Sequence, residues 1–359
     1  MRVLIDIGHP GHVHFYRHII RKLRENGHDV LISARDKDVT LDLLNQYGFT
    51  YKTLSKMGKG FRDLSKEFLQ REWALMRLIH EFNPDVVTEI GGIFIAPVCR
   101  ILGKPSVVFT DSEPVPLDRF LVYPIADMIC TPECFMRDLG RRQIRYSGFH
   151  ELAYLHPDYF QPDPTVLEEL NISESEPFTV LRFVAWKAGH DIRQHGFPLE
   201  IKRKIVKTLS RYGRVFITSE SPLPDEFEFY RINIPPHRMH DILYYARLFM
   251  GDGATMATEA GILGTPSVRS SSMALNMGNF VELMERYKLV FSYYDPIEAL
   301  DKAVSLLEQK DAKAQWASRA QRLVAEKIDV TRFAVDLLEG SAFGRSKKTE
   351  IETSLSARK

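Results

Sequence analysis

Short apolar runs rich in β-branched residues alternate with helical patterns along nearly the whole chain, and this alternation restricts the fold more than any single motif. In the first half the runs are VLIDI (3–7), VLISA (30–34), DVVTEI (85–90), SVVFT (106–110), MICT (128–131) and IRYS (144–147). Runs of this kind suit strands covered on both faces, and strands separated by helices are joined by crossovers, which predicts a parallel sheet. The rhythm breaks at the aromatic, proline-bearing GFHELAYLHPDYFQPDP (148–164). It restarts with FTVLRF (178–183), VFITS (215–219), FYRIN (229–233), LFMGD (248–252), PSVR (266–269) and LVFSY (289–293). An α/β fold of two Rossmann-like domains with parallel sheets facing a cleft is therefore expected. Its parts are residues 1–150, a linker at 151–164, residues 165–338, and a polar tail at 339–359 expected to be disordered.

Composition sets outer limits. At 359 residues the chain is longer than one ordinary core requires. With 48 Lys and Arg against 47 Asp and Glu, no global field calls for nucleic acid. Cys99, Cys130 and Cys134 make an odd count in apolar surroundings, as expected of reduced thiols inside a cell. Met1 runs straight into RVLIDI without a signal-peptide pattern, and no run approaches the length of a spanning helix. A cytoplasmic location is expected. Basic runs such as Arg141, Arg142 and Arg145 allow peripheral contact with the inner face of a membrane, or are simply solvated.

In open α/β sheets ligands bind beyond the carboxyl ends of strands, so the loops there come first. The first is GHPGHVHFYRHII (8–20). Tyr16, Ile19, Ile20 and Leu23 recur at helical spacing, with Gly27 closing the helix. His14 and His18 fall opposite that stripe and are expected on an exposed polar face; their spacing would suit zinc, but no third ligand is evident. His9 and His12 lie in the turn itself, with Gly11 between them. Imidazole titrates close enough to neutrality to act as a base, though a capping role is open to both. In the second half, GDGATMATEAGILGTPSV (251–268) places Gly251 and Gly253 where a tight turn is needed. Thr255 is expected to cap the following helix, whose amino end would face an anion. Glu259, one turn on, could accept hydrogen bonds from vicinal hydroxyls or merely complement the helix dipole.

Together these features resemble the GT-B glycosyltransferase superfamily, including the non-hydrolysing UDP-sugar 2-epimerases. GHPGHVHFYRHIIRKLRENGHDVLISARDK followed by YSGFHELAYL is similar to domain-of-unknown-function family 354, predicted glycosyltransferases of this type. The resemblance spans about residues 1–335. It implies a GT-B fold, a nucleotide-sugar donor in the second domain and a carbohydrate or lipid-linked acceptor in the first. It also implies that Glu259 binds ribose and that Asp252, Gly253, Ala254 and Thr255 meet the diphosphate. Arg182, Lys187 and His190, after the first strand of the second domain, are candidate diphosphate partners, since a leaving nucleotide needs fixed positive charge when no metal is present. His237 and Arg238, in IPPHRMHDILYYAR, occupy the position where the superfamily reads the base through backbone groups. Asn276 and Asn279 could contact the sugar or serve as turn and cap residues.

In the first domain, FTDSEP sets Asp111 and Glu113 where the epimerases carry an acid-bearing loop, although the epimerase His-Val-Glu-Ala-Gly pattern is missing here. The superfamily member that makes the lipid-linked peptidoglycan precursor has a histidine matching His12, which makes His12 the candidate base and His9 a donor to phosphate or sugar. The function implied is a metal-independent glycosyltransferase with a UDP-sugar donor and no cofactor besides that substrate. A UDP-HexNAc 2-epimerase or a non-catalytic nucleotide-sugar binder are the alternatives. A dehydrogenase is disfavoured, because no GxGxxG follows the first strand.

Overall fold

The computed structural model describes residues 1–342 except 59, 114–116, 174, 184–196, 220–221 and 272–276. The chain forms two compact units, one made of Met1–Tyr154 with the segment from Ile328 onward, the other of Leu155–Lys327.

The first unit is built on a seven-stranded sheet of β1 (Arg2–Ile7), β2 (Asp29–Asp36), β3 (Lys52–Lys56), β4 (Val86–Ile90), β5 (Ser106–Phe109), β6 (Met128–Pro132) and β7 (Gln143–Tyr146). The order is β3-β2-β1-β4-β5-β6-β7, and every pairing is parallel. Val3, Leu4, Ile5 and Ile7 of β1 are fully buried, as expected of a central strand covered on both faces. The apolar runs do not reveal β3, because KTLSK is a half-exposed edge strand with no core-facing run. Strand order reverses direction between β1 and β4, so the loops after these strands diverge and leave a crevice at their carboxyl ends.

The helix Pro10–Glu25 buries Tyr16, Ile19, Ile20 and Leu23 as the spacing predicts, but it begins earlier than expected: His9 is its cap and Pro10 opens it, so His12 stands in its first turn and not in the loop before it. Its other side is not exposed as expected. His14 and Arg17 are buried, with Arg17 donating to Tyr47 Oη (2.8 Å) and to the Tyr154 carbonyl (3.0 Å). The final helix, Val330–Ala342, returns to pack on this first helix. Thr331 Oγ1 donates to the Ala153 carbonyl (2.7 Å), and Glu339 Oε1 accepts from Asn26 Nδ2 and lies 2.8 Å from His28 Nε2. Three expected boundaries change accordingly. Residues 330–338 belong to the first unit, 339–342 are helical with Glu339 bonded to the first helix's end, and 151–154 of the expected linker are buried within the first unit. Residues 343–359 lie outside the described residues.

The second unit carries β8 (Phe178–Phe183), β9 (Arg214–Ser219), β10 (Leu248–Gly251), β11 (Ser267–Ser270) and β12 (Val290–Tyr293). Their order is β12-β11-β10-β8-β9, again all parallel, with the reversal between β8 and β10. FYRIN is not a strand: Asp225–Tyr230 is a 3-10 turn, followed by a bridge from Arg231 to Ile217. Phe229 is 91% exposed, so its apolar side chain has no core to join and the apolar count of this run misleads. Among the described residues no helix is long and apolar enough to cross a membrane.

Candidate functional site

In the second unit the strand ends at the reversal point bring three residues into one row. Gly251 on β10 is in register with Arg182 on β8 and Arg269 on β11. A Cβ on Gly251 would lie 2.9 Å from both the Cβ and the carbonyl oxygen of Arg182. Close approach of two strand ends, rather than a left-handed turn, is therefore what requires this glycine. The chain continues through Asp252, Gly253 and Ala254 into the helix Thr255–Ile262. Ala254 holds the cap position with no side-chain cap bond, and the first turn carries no acid. Thr255 is thus the first helical residue and not the expected cap. An amino end of this kind, with neither a capping side chain nor an acid, favours an anion.

Arg269 is only 1% exposed. Its Nη2 donates to Ser271 Oγ (3.0 Å) and its guanidinium lies 4.3 Å from the centre of the Phe280 ring, while Nε and Nη1 have no hydrogen-bond partner among the described residues. Burial lowers its pKa to about 10, against the opposing charge of Asp252. Unmade hydrogen bonds on a buried cation cost about 1–3 kcal/mol each or more, so this side chain is built for a partner. Arg182 Nη1 donates to Thr218 Oγ1 (2.8 Å). Glu259 is buried with Oε1 3.1 Å from His240 Nε2, which fixes the orientation of its carboxyl group.

Other expected residues of this unit do other work. Arg238 donates to Asp163 (2.9 Å), Glu169 (3.0 Å), Asp241 (3.0 Å) and Thr165 Oγ1 (2.8 Å). Three carboxylates and a hydroxyl consume its fork, so the Arg238 side chain ties the loop to its surroundings, and the expected reading of a base through backbone groups does not call on it. Asn279 Oδ1 accepts from the Phe280 amide (2.8 Å) inside the first turn of the helix Gly278–Glu285, the cap-like alternative to a sugar contact. His237 is half-buried in the 3-10 turn Pro236–Arg238. Lys187, His190 and Asn276 lie outside the described residues.

In the first unit, His9 Nδ1 accepts from the Gly11 amide (3.1 Å) and His12 Nδ1 from the Gly8 amide (3.3 Å). A ring nitrogen that accepts a backbone N–H carries no proton, so the neutral tautomer of each has its hydrogen on Nε2. Burial, and then the neighbouring positive charges of His9, Lys37, His150 and Arg71, hold the His12 pKa well below its ordinary value. At neutral pH His12 is therefore an uncharged N–H donor. This tautomer does not suit the expected base, which needs its lone pair where His12 carries a proton.

Asp111, beyond β5, accepts from Ser112 Oγ (3.1 Å) and faces His150 Nδ1 at 3.6 Å. His150 is buried between Phe15 (ring centres 4.9 Å apart) and Tyr146, which stacks on it at 6.3 Å. Burial lowers the pKa of His150 and Asp111 opposes the shift. Glu113 is only 3% exposed and accepts from the Met136 amide (3.0 Å), which ties it to the loop after β6.

Below the first loop lies a charged cluster that the motif search did not find. Asp6 and Arg71 are fully buried and paired, Arg71 Nη2 donating to both Asp6 oxygens at 2.8 Å. Glu89, at the carboxyl end of β4 and in register with Asp6, is 2% exposed; its Oε2 accepts from the Phe94 and Ile95 amides, each at 3.3 Å. Its pKa is raised well above the ordinary carboxylate value, by burial first and by Asp6 next, with Arg71 and the two amides opposing. A signal for it was present: in TEIGG an acid ends the strand across the reversal point from GHPGH, followed by two glycines of positive φ.

A family model described as "Protein of unknown function (DUF354)" matches residues 1–331. The chain belongs to this family. A relative within reach by sequence is the uncharacterized protein MJ0665 of Methanocaldococcus jannaschii, 27% identical over 282 residues that cover 74% of this chain and 80% of that one. Among solved structures, the UDP-GlcNAc 2-epimerase of Neisseria meningitidis bound to UDP-GlcNAc matches with a TM-score of 0.66 at 11% identity, covering 100% of each chain. The Streptomyces sp. SF2575 glycosyltransferase SsfS6 matches with a TM-score of 0.57 at 14% identity, covering 93% of this chain and 99% of that one. At such identities the likeness establishes the fold, which is GT-B. For this DUF354 chain the fold then brings together Arg182, Asp252, Thr255 and Glu259 with the unanticipated Arg269 and His240 in one unit. In the other it brings His9, His12 and Asp111 together with the unanticipated Glu89 and His150.

Proposed function

We propose that the protein is a glycosyltransferase that takes a UDP-sugar donor in its second unit and a carbohydrate or lipid-linked hydroxyl acceptor in its first. The observation that carries this reading is Arg269, a buried guanidinium with two nitrogens that have no partner among the described residues, at the end of the strand beside a helix amino end without a side-chain cap. A diphosphate supplies what both lack: oxygen acceptors for the guanidinium and negative charge at the helix end. Arg182, the amides beyond Asp252 and Arg269 stabilise the charge that develops as the nucleotide leaves, so no metal is needed in this scheme. Glu259, held by His240, accepts from the ribose hydroxyls. The Neisseria structure bound to UDP-GlcNAc and a second SsfS6 structure complexed with thymidine diphosphate support a nucleotide-sugar ligand.

Calorimetric titration with UDP, thymidine diphosphate, GDP and UDP-GlcNAc tests this. Binding of at least one is expected, and Arg269→Gln, checked for native circular dichroism, should weaken it by more than about tenfold, as loss of a charged hydrogen bond implies. Failure of all four to bind would remove the donor site. An isomerase acting on UDP-HexNAc is the second reading, favoured by the higher TM-score of the Neisseria epimerase. It is distinguished by interconversion of UDP-GlcNAc with its 2-epimer when no acceptor is present.

A further inference from the structure

We propose that Glu89, and not a histidine of the first loop, is the general base of the first unit, with His12 donating a hydrogen bond to the same acceptor oxygen. The inference rests on the transferase reading and deepens it. Three observations carry it. First, among the described residues the Glu89 carboxyl is held by one oxygen only: Oε2 takes the Phe94 and Ile95 amides at the start of the helix Ile95–Leu102, which leaves Oε1 for other work. Second, Oε1 and the His12 ring flank one small space. A Cβ placed on Gly8 would lie 3.8 Å from Glu89 Oε1 and 3.7 Å from His12 Cε1, both ordinary contacts, so the missing side chain at Gly8 leaves a methyl-sized gap between them. Third, the hydrogen bond from the Gly8 amide to His12 Nδ1 makes His12 Nε2 a donor, so of the two groups only the carboxyl offers a lone pair.

The surroundings suit this role. Burial, and then Asp6 in the neighbouring register position, favour the protonated form of Glu89, while Arg71 and the two amides favour the ionised form. A carboxylate that strongly prefers to be neutral is a stronger base than an exposed one, and taking up a proton relieves it of a buried charge. In the step, the acceptor hydroxyl gives its proton to Glu89 Oε1 as its oxygen bonds to the anomeric carbon. The bond from that carbon to the diphosphate breaks, and its electron pair leaves with the nucleotide. The proton on Glu89 then returns to solvent. His12 Nε2–H points a hydrogen bond at the attacking oxygen and neither gains nor loses a proton.

The test uses the full chain, with UDP-GlcNAc as donor and water as acceptor, and UDP release as readout. Glu89→Gln preserves shape and the carbonyl that accepts the two amides. It should reduce UDP release by about 100-fold or more while UDP affinity stays within about twofold. The fall in rate toward acid, which reports protonation of the base, should persist in His12→Gln and vanish in Glu89→Gln. Gly8→Ala, whose new methyl meets only ordinary contacts, should fold normally and lose turnover by filling the gap. Infrared titration of the Glu89 carboxyl band, taken as wild type minus Glu89→Gln, works without turnover and should place ionisation above the usual carboxylate range. Wild-type UDP release by Glu89→Gln, loss of the acidic fall in His12→Gln, or a carboxyl group that ionises within the usual carboxylate range would overturn the assignment. Failure of UDP to bind the wild type would instead defeat the transferase reading.

Discussion

A histidine's chemistry is set less by its position in a motif than by which nitrogen its neighbours occupy. His12 follows Gly11 in a loop of the right kind, yet the Gly8 amide on Nδ1 turns it from a proton acceptor into a donor. Glu89 lies in a strand run and in no motif, and His150 lies in one, YSGFHELAYL, that speaks for the family and not for chemistry; the fold places Glu89 beside His12 and His150 against Asp111. Ion pairs follow the same logic. Arg71 and Asp6 meet with no solvent exposure, and most of the value of such a pair lies in the damage done by removing one partner. Arg71→Met should therefore destabilise the first unit by about 3–5 kcal/mol in urea unfolding, leaving Asp6 buried without its counter-charge. Replacing both residues, Asp6→Leu with Arg71→Met, should recover a large part of that loss. If the single variant is as stable as wild type, the pair has no such role.

At the scale of elements, the first helix shows what periodicity reveals and what it leaves out. Its core-facing stripe and its end near Gly27 follow from spacing alone. Its opposite face does not, because a helical wheel reports how residues are grouped but not whether a second layer covers the polar group. His18 shows the consequence. Burial first, and then Arg17, Arg21 and Lys22, lower its pKa to about 3, so it stays neutral in the fold while an unfolded chain protonates it near its ordinary value. Between those two values the unfolded state binds more protons, so stability falls as pH decreases through that window. Urea unfolding at about pH 7 and pH 5 should show wild type losing more stability than His18→Asn. Equal losses would contradict the burial argument. Among strands, every covered run was legible. The two departures, KTLSK and FYRIN, are an edge strand without an apolar run and an apolar run without a core.

On the scale of the whole molecule, the division into two units was legible from the restart of the βα rhythm, but the assignment of the chain's last helix was not. Val330–Ala342 follows the second unit in sequence and packs in the first, where Val330, Phe333, Leu337 and Leu338 are buried. Burial of each large apolar side chain contributes about 1.5–3 kcal/mol, so four of them rival the net stability of a domain. A chain ending at Lys327 should lose the calorimetric unfolding transition of the first unit and keep that of the second. Retention of both transitions at their original temperatures would show that the return helix is dispensable.

The sequence by itself determined the alternation of strand and helix, the parallel sheets that follow from it, and the loops at which chemistry could occur, because these depend on spacing along the chain. Only the tertiary structure decided which side chains meet there. Arg238 is consumed by three carboxylates, Arg269 is left with nitrogens to offer, and Glu89 is brought under the first loop by the pairing of β1 with β4. Hydrogen-bond saturation and burial are properties of neighbours in space, and neighbours in space are what a sequence lists last.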